Sequence, residues 1–213
     1  MAIHAYDEDY LSGAQRILGD AVDFAVMSLG LDPDAFGMAF AVSDVSKQFA
    51  AGNPKYVAGM NGPELARMVL KQTHMSFEDS EDIMYLDKSP EYWAGWALAF
   101  YQWYRDYSFM EILKAVSLEK IISLYPVYHE MDILKFAEYM DKAMKNAYPK
   151  TKLRMHRENC GFSQSELASL SGVPLRQIQL FEQRQRDINK TSAETLLKLS
   201  KALCCNMENL IER

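Results

Sequence analysis

The pattern of hydrophobic and polar positions is helical along nearly all of the 213 residues. Apolar residues recur every three or four positions, and no run of four or more alternates cleanly between apolar and polar with β-branched enrichment. Patterns typical of capping boxes, which mark helix starts, begin at Asn61, Ser108, Ser163 and Thr191. Ser89 followed by Pro90 predicts a further start. The chain is therefore predicted to be all-α.

One predicted helix, beginning after Ser89, carries an unusual concentration of aromatic residues. Its stripe, spaced three and four apart, consists of Trp93, Trp96, Phe100, Trp103 and Tyr107. The first interpretation is the central core helix of a bundle, because Ala94, Ala97 and Ala99 leave room for close packing. The second is a groove for a partner peptide or aromatic ligand, since Trp and Tyr are favoured at interfaces. The candidate contacts for that groove are Trp93, Trp96, Tyr101 and Tyr104.

The distribution of charge divides the chain in two. The net charge is −6, but residues 1–149 carry 12 Lys+Arg against 22 Asp+Glu, a balance of −10. Residues 150–213 carry 11 against 7, a balance of +4. This change coincides with a helix break at Tyr148-Pro149-Lys150 and predicts two domains. The first is an acidic all-α domain over 1–149 with a sensor, partner or dimerisation role, and the second is a basic domain over 150–213 that is the candidate polyanion binder.

Composition excludes several other classes of protein. Hydrophobic residues make up 49% and charged residues 24%, as in ordinary globular proteins. No apolar run approaches the ~20 residues that span a membrane, so we expect no membrane partner. The acidic N-terminus, which runs from Met1 to Asp9, is unlike a signal peptide, and the three cysteines form no C-x-x-C pair. We expect a cytoplasmic protein with free thiols.

Candidate catalytic and metal-binding groups are few. His129-Glu130 begins like a zinc-protease motif, but position 133 is Ile, so the second histidine ligand is missing. The acidic cluster Glu78, Asp79, Glu81 and Asp82 has only His74 nearby and is interpreted as a solvated loop. We therefore expect no metal, no cofactor and no enzymatic activity. An enzymatic N-terminal domain stays a third alternative, with no motif to support it.

The last sixty residues predict five short helices beginning near Lys152. Gly161 ends the first, Ser163 begins the second, and Gly172-Val173 forms a tight turn before a third helix from about Pro174 to Gln183. The predicted inward-facing residues of the second to fifth helices are Leu167, Ala168, Leu170, Ile178, Phe181, Leu196, Leu197, Leu199, Leu203, Leu210 and Ile211.

An ordered set of residues in this region resembles a known family. The set consists of Phe162 to Ala168, Gly172-Val173, Ile178, Glu182, and Glu194 to Leu203. Residues 152–213 resemble the helix-turn-helix domain of phage repressors, Cro and the XRE-type bacterial regulators. The resemblance implies a five-helix, lambda-repressor-like domain that binds a double-stranded DNA operator as a homodimer.

The third helix supplies the predicted base-reading residues. Its outward-facing residues Leu175, Arg176, Gln177 and Gln179 would enter the DNA major groove, which accepts one α-helix. Arg176 suits guanine through N7 and O6, whereas Gln177 or Gln179 suits adenine through N6 and N7. The resemblance adds Gln164, because the family's glutamine at this place packs against the recognition helix and contacts DNA.

The predicted phosphate contacts lie mainly after that helix. The resemblance places them where this chain has Gln183, Arg184, Arg186 and Lys190, and we add Ser163 to this set. After the matching Glu182 the family usually carries a small residue and then glycine, whereas Gln183 and Arg184 occupy those places here. Without glycine, the left-handed turn costs about 1 kcal/mol or is reshaped.

The N-terminal part is similar to the N-terminal regions of uncharacterised regulators of toxin–antitoxin-like operons, through Asn53 to Val57 and Ser89 to Tyr104. That resemblance implies at most a protein partner.

The first functional hypothesis is a sequence-specific transcriptional regulator, a dimeric repressor that binds an inverted repeat. The alternative is an antitoxin-like protein whose N-terminal domain binds a cognate protein while the C-terminal domain autoregulates its operon.

Overall fold

All regular secondary structure in the described part of the chain is helical, which confirms the all-α prediction. The computed structural model describes residues 4–81 and 88–212, so Met1 to Ile3 and Asp82 lie outside these residues. The chain forms two compact units, Met1–Ala147 and Tyr148–Arg213. None of the described helices is long and apolar enough to cross a membrane.

The first unit is a bundle of helices of unequal length. Its α-helices are α1 (Leu11–Asp23), α2 (Pro33–Val42), α3 (Asp44–Ala50), α4 (Pro54–Val57), α5 (Gly62–Gln72), α6 (Pro90–Arg105), α7 (Phe109–Ala115), α8 (Leu118–Ser123), α9 (Tyr125–Tyr128) and α10 (Ile133–Ala147). A 3-10 helix, Glu8–Tyr10, precedes α1, and a π-helical turn, Phe24–Ser28, follows it.

The aromatic helix α6 lies in the core of the first unit. It packs along α1 at very short range, because a Cβ atom on Gly95 would lie only 2.4 Å from the carbonyl oxygen of Leu18. Trp93, Tyr101 and Trp103 are buried, and the Tyr101 hydroxyl donates to Asp141 Oδ1 at 3.0 Å. The stripe is therefore chiefly core, as the first of its two interpretations expects.

The second unit contains four short α-helices and two 3-10 helices. They are α11 (Lys152–Asn159), α12 (Gln164–Ser171), α13 (Leu175–Glu182), the 3-10 helix Ile188–Lys190, α14 (Ala193–Ala202) and the 3-10 helix Met207–Leu210. The predicted fifth helix is thus a single 3-10 turn. The core contains Leu153, Leu167, Val173, Ile178, Phe181, Ile188, Leu196, Leu199, Leu203 and Leu210.

Two leucines predicted to face inward are exposed instead. Leu170 of α12 has 60% of its surface accessible, and Leu197 of α14 has 41%. Both predictions were wrong because each helix has its neighbours on one side only. In α12, Leu167 occupies the buried position, and in α14, Leu196 and Leu199 do.

Most of the predicted helix starts are confirmed in atomic detail. Asn61, Ser108 and Ser163 each form a capping box with the glutamate three residues later. Ser89 caps α6 by accepting from the Tyr92 N–H at 2.9 Å. The box predicted at Thr191 was wrong, because Ser192 is the N-cap of α14 and Glu194 pairs with Lys198 instead.

Candidate nucleic-acid interface

The turn between α12 and α13 fixes the direction in which α13 leaves. Gly172 ends α12 in the left-handed conformation, with φ +67°, which glycine adopts without a Cβ penalty. Val173 is buried, and its N–H donates to the Ser171 hydroxyl at 3.2 Å. Pro174 then precedes the first residue of α13. The turn is therefore held by the left-handed conformation of Gly172, by burial of the Val173 side chain and by the hydrogen bond to Ser171.

Burial of one face of α13 leaves a strip of the opposite face exposed. Ile178 and Phe181 are in the core, as predicted. Leu175, Arg176 and Gln179 lie three and four residues apart, so they share one face of the helix. Leu175 and Arg176 are exposed and Gln179 is half-buried. We call these three residues the α13 strip.

Gln177 lies away from that strip, although the sequence places it among the base readers. Its Nε2 lies 3.4 Å from Thr191 Oγ1, in the segment that precedes α14. Gln177 is two positions from both Leu175 and Gln179, which places it about 160° around the helix from each, so it cannot share their face. The structure therefore brings together Leu175, Arg176 and Gln179 and places Gln177 on the flank.

A partly buried ion pair holds the end of α13 against α11. The Arg157 guanidinium makes two hydrogen bonds to the Glu182 carboxylate, from Nε at 2.7 Å and from Nη2 at 2.9 Å. Its Nη1 donates to the Phe162 carbonyl oxygen at 2.6 Å. The two side chains are only 10% and 3% exposed, and the hydrogen bonds to Glu182 raise the pKa of Arg157. We call Arg157 and Glu182 the buried ion pair.

Gln164 joins this ion pair from the start of α12. Its Nε2 donates to Glu182 Oε2 at 2.8 Å, which fixes the side-chain amide beside α13. One N–H and the carbonyl oxygen of the amide remain for other partners. The structure thus shows the packing of Gln164 against α13, whereas its contact with DNA stays a prediction.

All four predicted phosphate ligands of the loop after α13, Arg184 among them, lie at the surface. Gln183, Arg186 and Lys190 are exposed, and Lys190 lies 3.8 Å from Asp187 in a loose ion pair. Ser163 is exposed as well, and its backbone N–H donates to Glu166 Oε2 at 2.7 Å. This bond lowers the pKa of Glu166. The positions of Ser163, Gln183, Arg186 and Lys190 are compatible with phosphate contacts, which stay predictions.

Arg184 differs from the rest of the set. It adopts the left-handed conformation that the family's glycine would occupy, with φ +54°, so the turn keeps its shape. Its guanidinium donates to the Pro149 carbonyl oxygen at 2.8 Å rather than pointing away from the protein. The structure therefore gives this predicted phosphate ligand an intramolecular partner.

The helix-turn-helix family model matches residues 153–209. The second unit is an XRE-type helix-turn-helix domain. No curated protein and no solved structure matches the chain. The presence of this domain supports a function as a DNA-binding transcriptional regulator, and the domain's family is not typically enzymatic.

Within the helix-turn-helix domain, sequence reasoning missed the role of Arg157. A signal was present, because Arg157 lies four residues after the buried Leu153 and therefore shares its face of α11. An arginine on a buried face requires an acidic partner nearby. Glu182 was recognised from the sequence as a residue that matches the family, and the sequence could not identify Arg157 as its partner across 25 positions.

The candidate contacts outside the helix-turn-helix domain are only partly accessible. Trp93 and Tyr101 are buried in the first unit, so neither presents a surface to a ligand. Trp96 and Tyr104 are half-buried and stay candidates for a partner surface. His129 Nδ1 lies 2.8 Å from the Tyr125 carbonyl oxygen. Among residues 4–81 and 88–212, no group of three potential ligands could hold a metal ion.

Proposed function

We propose that this protein is a sequence-specific transcriptional repressor that binds an inverted-repeat operator as a homodimer. In each half-site α13 enters the major groove, where Arg176 bonds guanine N7 and O6 and Gln179 bonds adenine N6 and N7. The observation that carries this proposal is the α13 strip itself, an exposed Leu175–Arg176–Gln179 face on a helix whose other face is buried.

Rigidity of the presenting helix supports base recognition. The buried ion pair and Gln164 hold α13 to α11 and α12 through three hydrogen bonds of 2.7–2.9 Å. A helix fixed in this way meets the base edges without first losing conformational entropy, which favours affinity. Gln177, on the flank of the helix, has a secondary role in this arrangement.

The positive balance of the domain supports the phosphate contacts. Ser163, Gln183, Arg186 and Lys190 surround the ends of α12 and α13, where the two DNA backbones would pass. Phosphate contacts supply affinity without sequence preference, and each released counterion contributes to the salt dependence of binding. Replacing Arg186 or Lys190 is therefore expected to weaken binding to all sequences alike.

The test begins by selecting duplexes from a random library with the full chain, followed by fluorescence anisotropy on the selected site. Arg176→Ala should cost about 1–3 kcal/mol and relax base preference at one position. Arg186→Ala is the matched control, because it removes the same charge but should weaken binding to all sequences equally. It should also reduce by about 0.9 the magnitude of the salt slope, which is the slope of the logarithm of the binding constant against the logarithm of the salt concentration. An equal loss on every sequence for Arg176→Ala would contradict its assignment as a base reader.

The dimer is tested with the same operator. A two-fold protein should bind half-sites about one helical turn apart, roughly 34 Å. Sedimentation should give two chains per operator, and inserting about 5 base pairs, half a turn, between the half-sites should abolish tight binding. One chain per operator with unchanged affinity after the insertion would rule out the dimeric arrangement.

The antitoxin-like alternative keeps this DNA interface and adds a cognate protein bound by the first unit. The balance of −10 over residues 1–149 supports a basic partner. The tagged full chain should retain one stoichiometric protein from nuclease-treated native lysate, and Trp96→Ala or Tyr104→Ala should weaken its retention. Recovery of the full chain alone would favour the simple repressor.

A further inference from the structure

The side chain of Arg184 contacts the segment through which the chain enters the helix-turn-helix unit. Nη1 donates to the Pro149 carbonyl oxygen at 2.8 Å, and Nη2 lies 3.3 Å and 3.5 Å from the carbonyl oxygens of Tyr148 and Lys150. These three residues directly follow Ala147, the last residue of the first unit. We call residues 148–150 the entry segment.

The backbone at Arg184 is unusual for an arginine. Its N–H bonds to the Phe181 carbonyl oxygen at 3.0 Å, and the Gln185 N–H bonds to that of Leu180 at 2.9 Å, which is the Schellman arrangement at a helix end. The same motif ends α11 with Gly161, at φ +74°. Glycine suits this left-handed position better than any residue with a Cβ atom. Arginine is thus less favourable than glycine in this backbone conformation, but it supplies a side chain that glycine lacks.

A second group of contacts stabilises the same place from the C-terminal end of the chain. The Glu212 N–H donates to Asn189 Oδ1 at 2.9 Å, and Glu212 Oε1 accepts from the Lys152 N–H at the start of α11. Glu212 Oε2 lies 3.9 Å from Arg184 Nη2. Arg184 therefore belongs to a cluster that joins the beginning of the domain, its end and the loop after α13.

We propose that Arg184 is a positioning residue for DNA binding, which anchors the entry segment to the loop after α13, and that it is not a phosphate ligand. The inference rests on the proposed function, because the loop matters only if it faces the DNA backbone. The planar guanidinium can donate in several directions at once, so one side chain holds successive carbonyl groups. Loss of this anchor loosens the entry segment and the loop together.

The DNA measurement compares Arg184→Gly, Arg184→Lys and Arg186→Ala with the wild-type full chain on the selected operator, over a series of salt concentrations. Glycine accepts φ +54°, so Arg184→Gly keeps the turn and should fold. We expect both Arg184 variants to lose affinity by about threefold to tenfold, the effect of a few lost hydrogen bonds, with the wild-type salt slope. Arg186→Ala should instead lower that slope by about 0.9.

The second measurement needs no DNA. Trypsin cleavage of the Lys150–Thr151 bond in the full chain is followed by the appearance of a fragment beginning at Thr151, which is 2% exposed in the folded protein. Arg184→Gly and Arg184→Lys should be cleaved about threefold to tenfold faster than wild type, because the carbonyl groups around the bond lose their donor. Arg186→Ala should be cleaved at the wild-type rate.

Each outcome decides between an anchor and a phosphate ligand. A salt slope lowered by about 0.9 in Arg184→Gly and restored in Arg184→Lys would overturn the proposal, because a phosphate ligand needs only the charge. Unchanged cleavage at Lys150 would overturn it as well, whatever the affinity. If the wild-type chain selects no DNA, the proposed function fails, while the cleavage rates still decide whether Arg184 anchors the entry segment.

Discussion

Replacing Arg157 by methionine should remove a large part of the stability of the helix-turn-helix domain. The change deletes two charge-assisted hydrogen bonds to Glu182, each contributing about 1.5–3 kcal/mol, and leaves a carboxylate that is 3% exposed with only Gln164 as donor. Breaking a buried ion pair from one side typically costs about 3–5 kcal/mol. The expected loss of about 3–5 kcal/mol approaches the total stability of a domain of this size.

The assay uses the position of the tryptophans. Trp93, Trp96 and Trp103 all lie in α6 of the first unit, so tryptophan fluorescence during urea unfolding should report that unit. Far-UV circular dichroism reports both units. Arg157→Met should therefore move the dichroism transition of the second unit to lower urea while the fluorescence transition stays in place. The fluorescence serves as an internal control for damage outside the domain.

The double variant separates an ion pair from simple packing. Replacing Arg157 by Met and Glu182 by Leu together removes both charges, and such replacements are often neutral or stabilising. The double variant should therefore recover at least half of the free energy of unfolding that Arg157→Met loses. A loss below about 1 kcal/mol for Arg157→Met, or a double variant no more stable than the single one, would refute the reasoning.

Three further predictions concern packing, pH and backbone conformation. Gly95→Ala would place a Cβ atom 2.4 Å from the Leu18 carbonyl oxygen, so the free energy of unfolding of the first unit, measured from the fluorescence transition, should fall by about 1–3 kcal/mol or more. An unchanged midpoint would contradict the close packing of α6 on α1. Hydrogen bonds from Lys150 and Arg154 lower the pKa of Glu158 from 4.5 to about 2, so its contribution to stability is present above pH 4.5 and is lost as the pH falls towards 2. In Glu158→Gln, the unfolding midpoint measured by circular dichroism should vary less with pH over that interval than in the wild type. A variant whose midpoint is as pH-dependent as that of the wild type would argue against the assignment. Cys204 has φ +50°, so Cys204→Gly should raise the stability of the second unit by about 1 kcal/mol, which is a rise of roughly 4–8 °C in its melting temperature by circular dichroism. An unchanged melting temperature would contradict the assignment of backbone strain to this residue.

Local features of the fold were the most predictable from the sequence. The helix starts at Asn61, Ser108 and Ser163 each depend on a side chain and a backbone N–H three residues apart, so the motif contains both partners. The start near Thr191 was misplaced by one residue, because Ser192 offers an equivalent hydroxyl and packing of α14 selects it. Local chemistry thus predicts that a helix begins, and packing decides between adjacent caps.

The exposed side of the short helices was less predictable. Leu170 and Leu197 match a helical period but are exposed, since a helix of eight to ten residues contains too few turns to define its buried face from spacing alone. Gln177 was grouped with Arg176 and Gln179 for a similar reason. Its contact with Thr191 depends on a segment fourteen residues further along the chain.

The sequence by itself determined the all-α class, most helix starts, the change of charge and the helix-turn-helix motif, because each depends on residues close together in the chain or on composition. Only the tertiary structure decided the partners of Arg157 and Arg184. Arg157 meets Glu182 across 25 positions, and Arg184 reaches back 35 positions to Pro149. A charged side chain takes its partner from whatever the fold brings within about 3 Å, and that distance is fixed by the packing of the helices.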